Sequence, residues 1–364
     1  MEWIAILKCP VTASSLRLMD HHEVELANKR ASARQVWQAD GTPLLNHIES
    51  GLISENGSHI YPILQGIVLL MKELAIVKSK DNTLLETVNA EKLKVKNFYN
   101  DQGWLSDKAG TYEDAKIYED LREVSRDYLT KCHNRVNRYL KPTGKYMLDA
   151  ASGAIQFDDY LQYSANYTYR VCVDFSFRAL LEAKRKMGTK GVYILCDMTC
   201  MPFKDGVMDS FVSLNTIYHI PREEQVTAIE ELYRLLAPGG KGVVVYDWFK
   251  HSAWMNFWMF PFRATVFIKN RVLDIVGKIF DRNGANRRLY FYAHPPAYFR
   301  QHLPAFELKV WRTLSVHFMR YYIHSWLFGK QLLNWVYEKE EKNPGLCGLK
   351  GEYPMLVFNK PGQD

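Results

Sequence analysis

Apolar residues follow three regimes along the 364-residue chain. Over residues 1–75 they form short β-branched runs cut by Pro and Gly. Ile4-Ala5-Ile6-Leu7-Lys8-Cys9-Pro10-Val11-Thr12 opens this part, and Gly51-Leu52-Ile53-Ser54 and Ile60 to Leu70 close it. Such runs predict strands and turns, hence a small β-rich module, with the polar stretch of about 27–50 as a loop or insertion. Over 76–143 the pattern becomes that of a helix face, carried by Ile117, Leu121, Val124, Tyr128, Leu129, Cys132, Val136 and Leu140. Asp81-Asn82 offers a start cap and Pro142-Thr143-Gly144 a stop. From residue 144 onward, buried-strand runs alternate with helical stretches: Tyr146–Ala150, Arg170–Asp174, Val192–Asp197, Ser210–Asn215 and Gly242–Asp247. Glu307–Val310 and Tyr353–Phe358 are predicted as two last, antiparallel strands at the sheet edge. This alternation predicts an α/β fold with a parallel, doubly wound sheet.

The polar residues at the predicted strand ends supply the candidate chemistry. Lys145 to Gln156 reads as a strand running into a turn of small residues, Ala150-Ala151-Ser152-Gly153-Ala154, and then into a helical pattern. Small residues let a ligand approach the backbone, and a helix start offers unpaired N–H groups. Asp174 ends the next strand, 25 residues after Asp149. An acid at that place in a Rossmann-like unit can accept both ribose hydroxyls. Asp197 ends the third strand and Asn215 the fourth, and Leu236-Ala237-Pro238-Gly239-Gly240-Lys241 turns into the fifth. Each tip alone also serves as a cap or turn residue; the series points to a ligand crevice.

Over about residues 145–250 these motifs resemble the class I S-adenosylmethionine-dependent methyltransferases. The resemblance is carried by "LDAASGA", "VCVDFS", "CDMTCMPFKDGVMDSFVSLNTIYHI" and "LYRLLAPGGKGVVVYD". It implies a Rossmann-like seven-stranded sheet and S-adenosylmethionine as cofactor. By the resemblance, Asp149 and Gly153, with Ala151 in the same loop, contact the methionine end. Asp174 takes the ribose hydroxyls with Phe175 beside the adenine, Asp197 and Met198 hold the adenine edge, and Asn215 lines the sulfonium site. Two of the three glycines of the family loop are Ala151 and Ile155 here. A β-branched residue favours φ below zero, so Ile155 is expected to narrow the loop. Tyr218 and His219 follow the fourth strand and are the candidate catalytic pair, with His219 as a base near neutral pH or as a loop-orienting histidine.

The ends of the first 75 residues, "LKCPVT" and "GLIS…YPILQGIVLLM", resemble the small methyltransferase-activator family, whose zinc-binding members carry four cysteines. Thr12 and Ser54 stand at two of those ligand places, so no zinc or other metal is expected. Asn97-Phe98-Tyr99-Asn100 is similar to the aromatic lid of methyltransferase relatives, with Tyr99 as lid candidate or as a helix-packing residue. The organisation expected is therefore a module over 1–75, a helical linker and lid over 76–143, and a methyltransferase domain over 144–364. An aromatic-rich insertion falls at about 248–300.

Charge and composition bear on the partners. A formal net charge of +7 with no block of five or six like charges gives no strong nucleic-acid signal. Six cysteines without a CxxC pair read as reduced thiols, and no apolar run reaches the ~18 residues of a spanning helix, so a cytoplasmic protein is expected. Aromatic residues make up 13% of the chain and crowd its last third, with Trp248, Phe249, Trp254, Phe257, Trp258, Phe260 and Phe262 in one stretch. Trp248 and Trp254 are candidates for a wall of the acceptor pocket. The stretch otherwise reads as a dry core or as an interfacial helix making peripheral membrane contact. The acceptor expected is a small or medium-sized metabolite, or a glycan or lipid-linked hydroxyl. An RNA or protein methyltransferase and a non-catalytic cofactor binder are the alternatives. Oligomeric state is left open.

Overall fold

The computed structural model describes residues 1–33, 35–39, 47–77, 112–262, 264–265 and 290–362. From residue 144 onward, β-branched and aliphatic runs build seven strands: β7 (Gly144–Ala150), β8 (Tyr167–Asp174), β9 (Gly191–Leu195), β10 (Met208–Leu214), β11 (Leu236–Val245), β12 (Phe306–Arg312) and β13 (Tyr353–Asn359). They lie in the order β9-β8-β7-β10-β11-β13-β12. The first five are parallel, and β13 runs antiparallel to both of its neighbours. This is the Rossmann-like seven-stranded sheet expected. Parallel strands buried on both faces read as continuous apolar runs, and Val171-Cys172-Val173 and Val243-Val244-Val245 are fully buried.

The remaining strands belong to the N-terminal part: β1 (Leu16–Leu18), β2 (Trp37–Gln38), β3 (Ser50–Ser54), β4 (His59–Leu64), β5 (Ile67–Leu69) and β6 (Ile76–Val77). β5 pairs in parallel with β9, Ile67 opposite Tyr193 and Leu69 opposite Leu195, so the two sheets form one. An open β9 edge would invite pairing with another chain; β5 covers it. The core is equally continuous. Leu7, Cys9, Leu52, Tyr61 and Val68 pack in one cluster with Leu148, Val171, Ile194 and Phe211.

Three local expectations change. The opening run is a 3-10 turn, Glu2–Ile6, after which Leu7 and Lys8 make only isolated bridges to Phe203 and Ser15. The polar stretch begins as helix α1 (His21–Ser32), whose Asp20 and Glu23 form a reciprocal capping box. Tyr112 to Leu140 is helical but broken: α2 (Glu113–Tyr118) and α3 (Glu123–Arg135) are separated where Asp120 turns to accept from Arg122 and Ser125. Helices α4 (Phe177–Met187) and α5 (Gln225–Leu235) are the crossovers that lead to β9 and β11. Beyond β11 lie α6 (Ala253–Trp258), α7 (Pro296–His302), α8 (Val316–Tyr322), α9 (Gly329–Lys342) and α10 (Pro344–Lys350).

Candidate cofactor-binding site

The C-terminal tips of β7, β8 and β9 meet through hydrogen bonds. Ser152 N–H donates to the Val173 carbonyl at 3.0 Å, Gly153 N–H to Asp174 Oδ2 at 2.9 Å, and Cys196 N–H to the Asp174 carbonyl at 3.2 Å. The three acids predicted to converge therefore lie at adjacent tips on one edge of the sheet. Open α/β sheets bind ligands in the crevice outside that edge.

After β7 the loop adopts the left-handed backbone at alternate positions: φ is 54° at Ala151, 54° at Gly153 and 51° at Ile155. These are the glycine places of the family loop. The expectation for Ile155 is thus corrected: it does not take φ below zero. Its side chain is fully buried against Cys172, Leu180 and Leu195, which contributes roughly 1.5–3 kcal/mol and offsets a strain of about 1–3 kcal/mol. Lys186, on α4, donates to the Ile155 carbonyl at 2.6 Å and holds the end of the loop. Ala151 is half-buried, with no comparable packing gain. Ala151→Gly is expected to raise stability by about 1 kcal/mol, read as a higher denaturation midpoint at unchanged slope; a lower midpoint would contradict the strain.

Asp174 is nearly enclosed. Its Oδ2 accepts from Gly153 N–H, and its Oδ1 accepts from Ser176 N–H at 2.8 Å. Burial pushes its carboxyl up to about 6, against those N–H groups and helped by the neighbouring Asp149 charge. Asp149 is committed to a fully buried Arg170, whose Nη2 and Nε donate to one carboxylate oxygen at 2.6 and 2.9 Å. Asp197 accepts from the Thr199 N–H and hydroxyl. Met198 is buried in the main core, and Phe175 packs with Leu69 and Leu74 of the N-terminal part. Asn215 ends β10 at φ 54°, a conformation asparagine tolerates well, and its side-chain oxygen is buried with no hydrogen-bond partner. A glycine-like loop, an enclosed acceptor carboxylate and an orphaned amide oxygen on neighbouring tips fit an adenosyl amino-acid ligand.

Tyr218 and His219 follow Asn215 in a 3-10 turn. His219 Nδ1 lies 2.8 Å from the Tyr290 carbonyl, an acceptor only, so Nδ1 carries the proton and Nε2 the lone pair. Burial pushes this imidazole down to about 4, so it is neutral at physiological pH. That makes it a weaker base than an exposed histidine. Tyr218 is buried, edge-on to Tyr246 and His219.

The expected acceptor wall is redrawn. Trp248 is 1% exposed and its indole N–H donates to the Gly348 carbonyl at 2.7 Å, so its side chain is part of the core. Trp254 packs half-buried with Val124, Leu314 and Met319. Tyr99 lies outside the described residues. Tyr112 instead covers the loop, buried against Ala154 and Ala179, with the Lys186 ammonium 5.3 Å from its ring. Its signal was its place just before α2.

A second buried polar group escaped the sequence reading. Asp247, at the β11 tip, accepts from Phe249 N–H, and burial pushes its carboxyl up to about 7 against the Arg312 charge. Arg312 is buried, donates to Glu119 at 2.6 Å and sits 4.6 Å from the Tyr353 ring, while its Nε has no partner. Nothing local in the sequence brings residues 119, 247, 312 and 353 together; the register of β11, β13 and β12 gathers the last three, and the packing of the α2–α3 region onto β12 adds Glu119.

Residues 148–244 match the family model described as a methyltransferase domain. The probable tRNA methyltransferase 9B of Mus musculus is 30% identical over 136 residues, 36% of this chain and 28% of that protein. The tRNA (carboxymethyluridine(34)-5-O)-methyltransferase ALKBH8 of Mus musculus is 26% identical over 165 residues, 42% of this chain and 22% of that protein. The match thus spans less than a third of the length of either relative. Among solved structures, magnesium protoporphyrin IX methyltransferase from Synechocystis with bound SAH is 15% identical, at a TM-score of 0.43, covering 74% of this chain and 99% of that one.

Residues 148–244 are similar to a methyltransferase domain, and the sheet they help to build is the Rossmann-like one expected. One expectation falls. The partners expected, a small-molecule, glycan or lipid acceptor without a strong nucleic-acid signal, do not stand beside two relatives named for tRNA methylation. The nucleic-acid part of that expectation rested on the lack of a like-charge block, which base stacking on aromatic side chains between scattered cations does not require.

Proposed function

We propose that this chain methylates RNA, with a tRNA as acceptor, and that its N-terminal part acts as a built-in activator module. The cofactor supplies a methyl carbon already activated on a sulfonium, so the protein's task is to align the nucleophile and exclude water. The observation that carries the reading is the joined tips of β7, β8 and β9 under the Ala151-to-Ile155 loop.

Two features support RNA. The relatives described above are named for tRNA methylation. In addition, residues 248–262 and 308–337 contain no Asp or Glu. The helices α6 and α8 that these stretches form follow β11 and β12, whose C-terminal ends share the crevice edge. Phe257, Phe260, Trp326 and Phe328 are there at least 69% exposed, with exposed Lys250, Arg320 and Lys330 in the same stretches. Among the described residues of 248–262, Trp248, Met255 and Met259 are the apolar side chains that are buried. Exposed rings are stacking faces for unpaired bases, each worth about 1–3 kcal/mol. The β5–β9 pairing supports the activator role, because it seals the sheet edge in the same chain.

Incubation of the full chain with methyl-labelled S-adenosylmethionine and total tRNA is expected to give ribonuclease-sensitive label. Retention of tRNA should weaken steeply as salt rises. Label that enters only small molecules, with no retention of tRNA at low salt, would refute the RNA reading.

A further inference from the structure

The N-terminal part does more than border the sheet. Past β5, Leu70 N–H still donates to the Leu195 carbonyl at 3.0 Å. The chain is thereby carried over the end of β9, and Met71 to Leu74 curl into a short 3-10 turn directly above the exit of that strand. A cavity of about 220 Å3 lies between the two parts. Pro10, Leu70, Met71, Lys72 and Glu73 line it from one side, and Asp197, Thr199 and Cys200 from the other. At ~30 Å3 per water it has room for about seven, enough for a bicyclic base. Its walls combine aliphatic surface with an ammonium and two carboxylates, which suits a flat ring with both donor and acceptor edges.

We propose that Met71, Lys72 and Glu73 complete the adenine subsite of the S-adenosylmethionine pocket, so that the N-terminal part is a structural component of the cofactor site. The proposal rests on the cofactor reading of Asp174 and Asp197. Pro10, Leu70 and Met71 provide the apolar wall. A purine presents a 6-amino donor, for which Asp197 and Glu73 are acceptors, and ring nitrogens, for which the Lys72 ammonium is a donor. Phe175 packs in the same cluster as Leu69, Leu74 and Met71, so the residue expected beside the adenine already leans on this part of the chain.

Cys200 provides a reporter, since it lines the cavity and is the exposed one of the six cysteines. With the full chain, S-adenosylhomocysteine is expected to slow iodoacetamide labelling of Cys200 at least several-fold. Lys72→Met keeps the aliphatic stem and removes the donor. It should weaken S-adenosylhomocysteine about 5-fold, with an equal loss for 5′-methylthioadenosine, which has the adenine but no amino acid, and an unchanged melting temperature. If S-adenosylhomocysteine binds yet leaves Cys200 labelling and the Lys72→Met affinities unaltered, the subsite is elsewhere and the cofactor reading survives. If the native chain does not bind S-adenosylhomocysteine, both fall together.

Discussion

Replacing Glu340 with alanine is expected to lower the unfolding free energy by about 3–5 kcal/mol. Glu340 is 1% exposed and lies between three elements. One oxygen accepts from the Tyr128 hydroxyl and from Thr313 N–H, both at 2.7 Å, and the other from Arg135 Nη2 at 3.0 Å. Arg135 is itself buried, donating also to the Trp311 carbonyl and to Glu341. Without Glu340, a buried guanidinium loses its most enclosed counter-charge, and the hydroxyl and the N–H lose their acceptor, where each unsatisfied group costs about 1–3 kcal/mol. The damage falls on the junction of α3, β12 and α9. Urea denaturation should show a lower midpoint at unchanged slope, with Glu340→Gln losing less because an amide oxygen still accepts. A shift below about 1 kcal/mol for Glu340→Ala would show that the network is not held by this carboxylate.

The second large effect separates binding from stability at Asp174. Substitution by alanine or asparagine removes the ionised acceptor for two ribose hydroxyls, where bonds to a charged group are worth about 1.5–3 kcal/mol each. S-adenosylhomocysteine affinity should therefore fall at least ~100-fold. Stability should fall far less than affinity for Asp174→Asn. Burial raises the folded carboxyl from 3.8 to about 6, so the folded state holds the proton more tightly than the unfolded chain. The stabilisation is present below about pH 4 and is lost as pH rises through about 6, by about 3 kcal/mol at ~1.4 kcal/mol per unit. The neutral asparagine escapes that loss but has one acceptor oxygen for the Gly153 and Ser176 N–H groups, so its gain at pH 7.5 is offset by one unsatisfied donor. In the native chain, affinity should decline as pH falls through about 6, where the carboxylate takes up its proton. Calorimetric titration between pH 5 and 8 reads this directly. Affinity that is flat across the range, or undiminished in Asp174→Ala, would remove the ribose assignment.

The local code reached far in this chain. Apolar runs of strand length, each ending in a polar residue, placed β7 to β11 and put Asp149, Asp174, Asp197 and Asn215 at their tips. A strand's burial and its terminal turn are short-range properties, written in consecutive residues. Asp20-x-x-Glu23 was an equally legible helix start, just ahead of the stretch of about 27–50 whose polarity suggested a loop. The Ala151 and Ile155 substitutions were visible too, but not their outcome. Whether a β-branched residue tolerates φ near 50° depends on what packs around it, and that packing comes from α4, β8 and β9.

What only the tertiary structure decided are the meetings between distant segments. The sequence marks a small β-rich part at one end and a nucleotide-type crevice further on. It does not say that β5 will lie parallel to β9, because pairing between strands more than a hundred residues apart leaves no local trace. That one register joins the two sheets and brings Lys72 beside Asp197. In the same way, the Arg312 and Glu340 contacts arise from β12 and α9 packing onto the α2–α3 region. Short-range patterning selects the elements; long-range burial, which gains only when several segments close on one another, selects which side chains share a site.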